Sequence, residues 1–162
     1  MLYNSPLGSI KIKISGLYIN ELTFIDEKEV QNKIIELSAE GKKILQKCIT
    51  QLDEYFSGER KIFDLPIQQK GTDFQQKVWN ELVQIPFGKT ISYMQLAQQL
   101  GNVKAIRAAA SANGRNELCI VVPCHRVIGS DGSLTGYAGG LSRKKWLLDH
   151  ESKFEQRMCM LF

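Results

Sequence analysis

Residues 9–15 alternate strictly between polar and apolar side chains, which predicts a half-buried β-strand. Gly16 interrupts the alternation, and the apolar-rich stretch 17–25 predicts a second strand. Two strands separated by one short break are typical of a β-hairpin. We therefore expect the chain to begin with an antiparallel sheet.

A helical periodicity follows. Apolar residues recur at steps of three and four on one face of a predicted amphipathic helix: Ile44, Leu45, Cys48, Ile49, Leu52, Tyr55 and Phe56. Gly58 is expected to end this helix, and Cys48 is interpreted as a core residue. The segment 61–71 contains Pro66 and a polar run, which predicts a last strand followed by a linker. A domain boundary is therefore expected near residue 68.

The second half of the chain opens with two predicted helix starts. Thr72 with Gln75 and Ser92 with Gln95 fit the capping box, in which a hydroxyl and a glutamine satisfy free backbone N–H groups. We expect the first helix to end near Ile85, the second to cover 93–100 and a third to cover 103–112. Two short helices joined by so tight a turn predict a helix-turn-helix, with a plain helical hairpin as the alternative.

The third predicted helix is unusual in composition, because Arg107 is surrounded by alanine and serine. Small side chains let a backbone approach its partner closely, so this helix indicates DNA contact; a merely stable alanine-rich helix is the alternative. The second half of the chain has more basic than acidic residues. The excess is concentrated in one group: Lys104, Arg107, Arg115, Arg126, Arg143, Lys144 and Lys145. Such a cluster favours a polyanionic partner, with a solvated basic face as the alternative.

Composition limits the class of protein. The chain has 162 residues, a net charge of +4 and 43% hydrophobic residues, which suits one domain or two small ones with a real core. It contains no uncharged apolar run of the roughly 18 residues that a membrane span needs, and its start lacks signal-peptide features. We expect a cytoplasmic protein with reduced thiols. The cysteines have no disulfide-framework spacing, so one of them is expected to carry chemistry: Cys48, Cys119, Cys124 and Cys159.

Cys124 is the strongest candidate for that chemistry. The β-branched run 119–122 predicts a buried strand that Pro123 ends. Cys124 and His125 follow where the strand gives way to a turn, and we expect their neighbours to lower the pKa of the thiol. Since adjacent residues of a strand point in opposite directions, these side chains need a helical turn or a bridging water to cooperate. The imidazole also needs an orienting acceptor.

The segment 122–127 (VPCHRV) resembles the active-site signature of the 6-O-alkylguanine-DNA alkyltransferases, also called methylated-DNA–protein-cysteine methyltransferases. Further segments resemble motifs of that family in the same order: 74–79 (FQQKVW), 85–88 (IPFG), 92–93 (SY), 112–116 (ANGRN), 136–141 (GYAGGL) and 146–151 (WLLDHE). The resemblance is strong over about residues 70–151. Before that it rests on size and on the order of strands and helix.

The resemblance implies an α/β (α+β) fold in two domains. Residues 1–68 would form a ribonuclease H-like supporting domain, an antiparallel sheet with a helix. Residues 69–151 would form a mostly helical, winged-helix-like domain that carries the helix-turn-helix and the cysteine loop. The tail 152–162 contains no recognised motif and is expected to be a disordered or docked extension.

The resemblance also implies a one-time reaction without a metal or an organic cofactor. Cys124 would attack the alkyl carbon on oxygen 6 of guanine, with 4-O-alkylthymine as a second candidate substrate. His125 would act as a base through a water molecule, and Glu151 would orient the imidazole. Asn116 would brace the turn before the cysteine loop, and Tyr93 would donate a proton or hydrogen bond to the leaving guanine.

The implied partner is double-stranded alkylated DNA, bound through its minor groove by a monomer and without a membrane. Because the lesion is hidden in a duplex, the nucleotide must be extruded, and Arg107 matches the arginine that fills the vacated stack. The base pocket would be lined by the main-chain carbonyl of Val127, by Tyr137 and by the main-chain N–H of Ala138. Contacts with the DNA backbone are matched to Asn102 and Ser130.

Two positions depart from the family pattern, since Ala110 stands where glycine is frequent and Glu117 where proline is common. Neither change removes a catalytic group. Several other residues are expected to have structural roles. Trp79 and Trp146 are interpreted as core, His150 as a surface or packing residue, and Cys159 as an exposed thiol. Lys144 is expected either to belong to a solvated basic face or to tune the thiol.

Three alternative functions stay open at this point. One is a zinc site, whose candidate ligands are Cys119, Cys124, His125 and His150. A second is a non-catalytic DNA-binding module, either a regulator or a lesion sensor, although the presence of Cys124 argues against a sensor. A third is a cysteine hydrolase that uses Cys124, His125 and Glu151 and turns over repeatedly.

Overall fold

A computed structural model describes residues 1–26 and 36–161. The chain divides into two compact units, Met1–Lys70 and Gly71–Phe162. The described part of the first unit combines an antiparallel sheet with a helix, and the second unit is mostly helical, which confirms the expected mixed α/β architecture. Among the described residues, no helix is long and apolar enough to cross a bilayer.

The first unit contains a three-stranded antiparallel sheet in the order β1–β2–β3. The strands are Leu2–Ser5 (β1), Gly8–Ser15 (β2) and Tyr18–Phe24 (β3), so the predicted hairpin is confirmed. The alternation in β2 buries Ile10 and Ile12 on one face, as a two-residue period requires. This apolar face supplies one side of the core of the unit.

The other side of that core comes from helix α1, Ala39–Ser57. Its apolar face is buried as predicted, and Cys48 is fully buried, which raises the pKa of its thiol to about 12. Gly58 ends the helix with a φ of 85°, a left-handed conformation that glycine adopts without steric cost. Its N–H donates to the carbonyls of Glu54 and Tyr55.

The strand expected within residues 61–71 is absent. Only Ile67 pairs with β3, through an isolated parallel bridge to Ile19. Ile19 donates its N–H to the Pro66 carbonyl at 2.8 Å, and Gln68 donates its N–H to the Ile19 carbonyl at 3.0 Å. Pro66 has no N–H of its own to contribute to a ladder, which limits the pairing to this single point.

The second unit consists of four helices and two very short strands: α2 (Asp73–Val83), β4 (Ile91–Ser92), α3 (Tyr93–Gln99), α4 (Ile106–Gly114), β5 (Val127–Ile128) and α5 (Leu141–Met160). Both capping boxes are confirmed, with each hydroxyl and each glutamine bonded as expected. The third predicted helix begins as a 3-10 turn, Val103–Ala105, before α4. Strands β4 and β5 pair in parallel and join the start of α3 to the chain that leaves the Cys124 turn.

Trp79 connects helix α2 to helix α4. Trp79 on α2 is buried as expected, and its indole Nε1 donates to the Ala112 carbonyl of α4 at 2.9 Å. Trp146 is only half-buried, so its interpretation as a core residue is wrong in part. It stacks on His150, which is itself buried. The residues expected as a separate tail continue α5 as far as Met160, and Cys159 is exposed.

Candidate active site

Residues 119–122 form a buried turn, so the predicted strand is wrong. Val122 donates its N–H to the Leu118 carbonyl at 2.9 Å, and Ile120 has a φ of 70°, which is rare for a β-branched residue. Asn116 closes the turn: its Oδ1 accepts from Leu118 N at 3.0 Å, and its Nδ2 donates to the Val122 carbonyl at 2.8 Å. An asparagine side chain therefore replaces the expected sheet ladder, a difference that hydrophobic periodicity does not detect.

The chain then makes the helical turn that cooperation between Cys124 and His125 requires. Residues Cys124–Arg126 form a 3-10 turn, in which Arg126 donates its N–H to the Pro123 carbonyl at 3.0 Å. The Cys124 residue is 5% exposed and His125 is completely buried. The nucleophile candidate and its neighbour are therefore held in a site from which solvent is largely excluded.

Glu151 on α5 is the orienting acceptor. His125 Nε2 lies 2.7 Å from Glu151 Oε1. Arg126 donates from Nε to Oε2 and from Nη2 to Oε1, both at 2.9 Å, and Gly88 donates its N–H to Oε2 at 3.0 Å. Because an ionised carboxylate only accepts, His125 carries its proton on Nε2, which leaves Nδ1 as the basic nitrogen.

The structure adds Arg126 to the site, a role that sequence reasoning missed. Arg126 is 5% exposed, and it also donates from Nη1 to the Ile85 carbonyl at 2.7 Å. The guanidinium therefore connects Glu151 to the segment after α2. The position of Arg126 directly after His125 was a sequence signal for a place in the site. The charge of Arg126 alone instead suggested the exposed basic cluster.

Burial favours the neutral form of the Cys124 thiol. Asn116 and Lys144 lower the pKa of the Cys124 thiol, as expected of its neighbours, but burial outweighs them and raises the pKa above its ordinary value. Burial lowers the pKa of His125 and outweighs the effect of Glu151. Burial alone would raise the pKa of Glu151, but His125 and Arg126 hold it well below its usual range. A neutral thiol therefore faces a site with a neutral imidazole and a charged carboxylate.

These shifts predict that the protein loses stability in acid. The unfolded chain takes up protons at His125 below its ordinary pKa of 6.5 and at Glu151 below 4.5, while the folded chain does not until lower pH. The free energy of unfolding should therefore fall as pH drops, by up to about 1.4 kcal/mol per pH unit for each group. Urea unfolding at a series of pH values measures this. His125→Gln should lose the part of the dependence that begins near 6.5; an unchanged profile would contradict the assignment.

Lys144 is fully buried, so it does not belong to a solvated face. Its Nζ donates to the carbonyls of Val127 at 2.6 Å, Thr135 at 3.0 Å and Gly136 at 3.3 Å. Burial lowers the pKa of this amine, and the Cys124 sulfur opposes the shift. The sequence did contain a signal, because Lys144 shares the buried face of α5 with Leu147 and Glu151 at helical spacing.

Two further side chains lie near Cys124. Tyr93, the first residue of α3, is half-buried and donates its hydroxyl to the Thr135 carbonyl at 2.9 Å. Burial raises the pKa of the phenol, so it is a neutral donor near pH 7. Asn113 near the end of α4 is buried and donates from Nδ2 to the Cys124 carbonyl at 3.3 Å.

The residues matched to the base pocket and to DNA differ in their exposure to solvent. Val127 is buried and Tyr137 half-buried, whereas Ala138 and Ser130 are exposed. Arg107 is exposed at the start of α4. The Asn102 side chain is already engaged, because its Oδ1 accepts from Lys104 N at 3.0 Å.

The exposed basic surface is smaller than the sequence suggested. Arg126 and Lys144 are buried, because one neutralises Glu151 and the other is surrounded by carbonyls. The exposed members of the predicted cluster are Lys104, Arg107, Arg115 and Lys145, and Arg143 is half-buried. These remaining charges lie in the unit that also carries Cys124.

The zinc alternative receives no support from the residues 1–26 and 36–161. Within them, no group of three or more His, Cys, Asp or Glu side chains is arranged to hold a metal ion. His125 is engaged by Glu151. His150 packs between the rings of Trp146 and Phe154, with ring centroids 4.8 and 4.9 Å apart.

Comparisons with known proteins cover both units. The family model of the 6-O-methylguanine DNA methyltransferase ribonuclease-like domain matches residues 1–69, and that of the DNA-binding domain of the same family matches residues 73–153. Together they account for almost the whole chain.

Individual relatives agree. A methylated-DNA–protein-cysteine methyltransferase of Methanosarcina barkeri is 44% identical over 153 residues, covering 93% of this chain and 94% of the relative. The constitutive enzyme of that name from Bacillus subtilis is 47% identical over 157 residues, covering 91% of each. The crystal structure of Mycobacterium tuberculosis OGT in complex with DNA is similar with a TM-score of 0.83 and 39% identity, covering 94% of this chain and 92% of that one.

Proposed function

Because the chain belongs to the 6-O-methylguanine DNA methyltransferase family, we propose that it repairs DNA by moving an alkyl group from oxygen 6 of guanine to Cys124. The transfer is irreversible, because the product is a stable thioether. The observation that carries this proposal is the buried pair of Glu151 and His125, 2.7 Å apart, in which His125 lies in the same turn as Cys124. No cofactor takes part.

The thiol must lose its proton as it reacts, since burial raises its pKa. His125 accepts this proton at Nδ1 through a water molecule, because Nε2 already donates to Glu151. Nδ1 is buried and has no hydrogen-bond partner in the described part of the chain, so it is available for this task. Asn116 holds the turn that presents the sulfur. These contacts support general-base catalysis by His125, with Glu151 as its positioning residue.

In the displacement, the leaving base takes up the electron pair of the bond that breaks. The Cys124 sulfur forms a bond to the alkyl carbon while the bond from that carbon to oxygen 6 breaks, and the electron pair remains on the purine. Tyr93 supplies a proton or hydrogen bond to the departing base, after exchanging its contact with Thr135. Lys144 places a cation near the sulfur and stabilises the thiolate as it develops.

We propose that the substrate is double-stranded DNA, bound through the minor groove by α3 and α4 as a helix-turn-helix. The exposed surface of α4 is made of Arg107 and small residues, which permits close approach to a narrow groove. Arg107 fills the stack that the extruded nucleotide leaves. The flipped base contacts the Val127 carbonyl, Tyr137 and the Ala138 N–H, while Asn102 and Ser130 contact the DNA backbone.

One chain supplies every group named here, so we propose a monomer that acts in the cytoplasm, where thiols stay reduced. Residues 1–68 would support the alkyltransferase domain, residues 69–151. The final stretch, 152–162, has no role in this scheme. A duplex with 4-O-methylthymine tests the second candidate substrate.

Intact mass spectrometry after incubation with excess methylated duplex tests the proposal. We expect one methyl group per protein, mapped to the peptide that contains Cys124. Cys124→Ala should accept none while still binding DNA, and Cys159→Ala, which removes the exposed thiol, should behave as the unmodified protein. If the protein acquires no methyl group, it is a sensor. If it releases more than one methyl group per molecule from the DNA, it is a hydrolase. Either result would refute the proposal.

A further inference from the structure

Arg126 is a buried cation that the proposed mechanism does not use. Its guanidinium contacts both oxygens of Glu151: Nε donates to Oε2 and Nη2 donates to Oε1, each at 2.9 Å. A two-point contact between planar groups has one favoured geometry, so it fixes the plane of the carboxylate as well as compensating its charge. Nη1 donates to the Ile85 carbonyl, and the guanidinium carbon lies 5.8 Å from the centroid of the Phe87 ring. The cation is therefore held by α5 and by the segment that follows α2.

The carboxylate of Glu151 receives donors on both oxygens. Oε2 accepts from Arg126 Nε and from the Gly88 N–H at 3.0 Å, whereas Oε1 accepts from Arg126 Nη2 and lies 2.7 Å from His125 Nε2. Each carboxylate oxygen has two lone pairs, and two of these donors match each oxygen. Because Arg126 fixes its plane, Glu151 holds the imidazole in one orientation, with Nδ1 on the side away from the carboxylate.

The charges around His125 oppose one another. Burial lowers the pKa of the imidazole, Glu151 raises it, and Arg126 and Lys144 lower it again. The neighbouring Cys124 thiol is neutral, because burial raises its pKa. Helix α2 also packs against the turn, and its buried side chains are apolar: Val78, Trp79 and Leu82. Arg126 is the cation in direct contact with the carboxylate that would otherwise favour the imidazolium.

The Glu151 carboxylate without its cation would change the state of the imidazole. An anion 2.7 Å away in a site of low dielectric constant strongly favours the protonated ring. A protonated His125 carries hydrogen on both nitrogens, so Nδ1 could not accept the proton that leaves Cys124. The guanidinium prevents this, because it compensates Glu151 while Oε1 still accepts the N–H of His125.

We propose that Arg126 is a positioning residue for the transfer to Cys124: it compensates Glu151 and thereby keeps His125 an unprotonated base with Nδ1 available. The inference rests on the proposed function, since it concerns the base of the same reaction. The thiol proton moves through water to Nδ1, and both Arg126 and Glu151 keep their charges throughout. Arg126 acts only through Glu151 and touches no reacting atom.

Imidazole NMR measures the charge of His125 directly and needs no DNA. Nitrogen-15 chemical shifts report the protonation of each ring nitrogen, and His150→Gln identifies the signals of His125, because the chain has two histidines. In Arg126→Met we expect the titration midpoint of His125 to rise by about 1–3 pH units, the range for one neighbouring charge. Lys145→Met removes an exposed cation from α5 and should leave the midpoint unchanged.

Single-turnover transfer from methylated duplex gives the second readout. The ascending part of the pH–rate profile of Arg126→Met should move to higher pH, with the largest loss near pH 7 and recovery in alkaline solution. A residue that only stabilises the fold would instead lower the rate by the same factor at every pH. Arg126→Lys keeps the charge but loses the two-point contact, so it should restore part of the rate near pH 7.

Arg126→Met leaves Glu151 without its cation, so a loss of stability accompanies it. If this variant does not fold, Arg126→Lys replaces it in the titration, with a smaller rise of the midpoint expected. The double variant Arg126→Met with Glu151→Gln contains no unpaired charge, and its His125 midpoint should lie below that of Arg126→Met. An unchanged midpoint in the variant that folds, or a loss of rate that is equal at every pH, would overturn the inference. The proposed function fails separately, if the unmodified protein acquires no methyl group at Cys124.

Discussion

His125→Gln is expected to slow methyl transfer to Cys124 by about 10²- to 10⁴-fold, the usual contribution of a positioned general base. Glutamine can still donate to Glu151, but it has no basic nitrogen in the place of Nδ1. Because burial raises the pKa of the Cys124 thiol, little thiolate is present near neutral pH without a base. The loss should therefore be larger at pH 7 than in alkaline solution. Single-turnover kinetics with methylated duplex over a range of pH values measures both effects.

His150→Gln is a matched control, because His150 is the other histidine of the chain and stacks on Trp146 outside the Cys124 turn. We expect its transfer rate to stay within a few-fold of the unmodified protein. Equal rates for His125→Gln and the unmodified protein would contradict the base role, even if the thiol is the acceptor. A slow rate that does not depend on pH would also contradict it.

Glu151→Leu is expected to destabilise the protein by about 3–5 kcal/mol, since removing one member of a buried ion pair leaves the other charge uncompensated. Arg126 would retain only the Ile85 carbonyl and the face of Phe87, 5.8 Å from the ring centroid. Gly88 would lose the acceptor of its N–H. Urea unfolding, followed by tryptophan fluorescence, measures the change in the free energy of unfolding.

A surface pair supplies the control for this prediction. Lys145 Nζ and Asp149 Oδ2 are 2.6 Å apart on the same helix, but both side chains are about two-thirds exposed. Asp149→Ala should therefore cost at most about 0.5 kcal/mol. The double variant Arg126→Met with Glu151→Leu should regain part of the loss, because no unpaired charge remains. A cost for Glu151→Leu as small as that for Asp149→Ala would show that the pair does not stabilise the fold.

Elements with local causes were predicted correctly. The capping boxes of α2 and α3 depend on residues three positions apart, and the apolar face of α1 depends on steps of three and four. The β2–β3 hairpin follows from a two-residue period and Gly16. Each signal is contained in a short window, so the sequence carries it without knowledge of the fold.

The errors arise where an apolar run has more than one structural explanation. Residues 119–122 are as β-branched and as buried as a central strand, yet the Asn116 side chain satisfies their backbone in a turn. The expected strand before the linker reduces to one bridge at Ile67. Hydrophobicity reports burial in both cases, but it does not report which group pairs with the backbone.

The family resemblance named Cys124, His125 and Glu151 as a group, and their roles stay predictions until the reaction is measured. The sequence by itself determined the family, the strands and helices with local signals, and the identity of the candidate nucleophile. Only the tertiary structure decided that Arg126 and Lys144 are buried and that burial raises the pKa of the Cys124 thiol. The reason is physical: Glu151 meets His125 across 26 residues and Gly88 across 63, and such contacts set burial and charge.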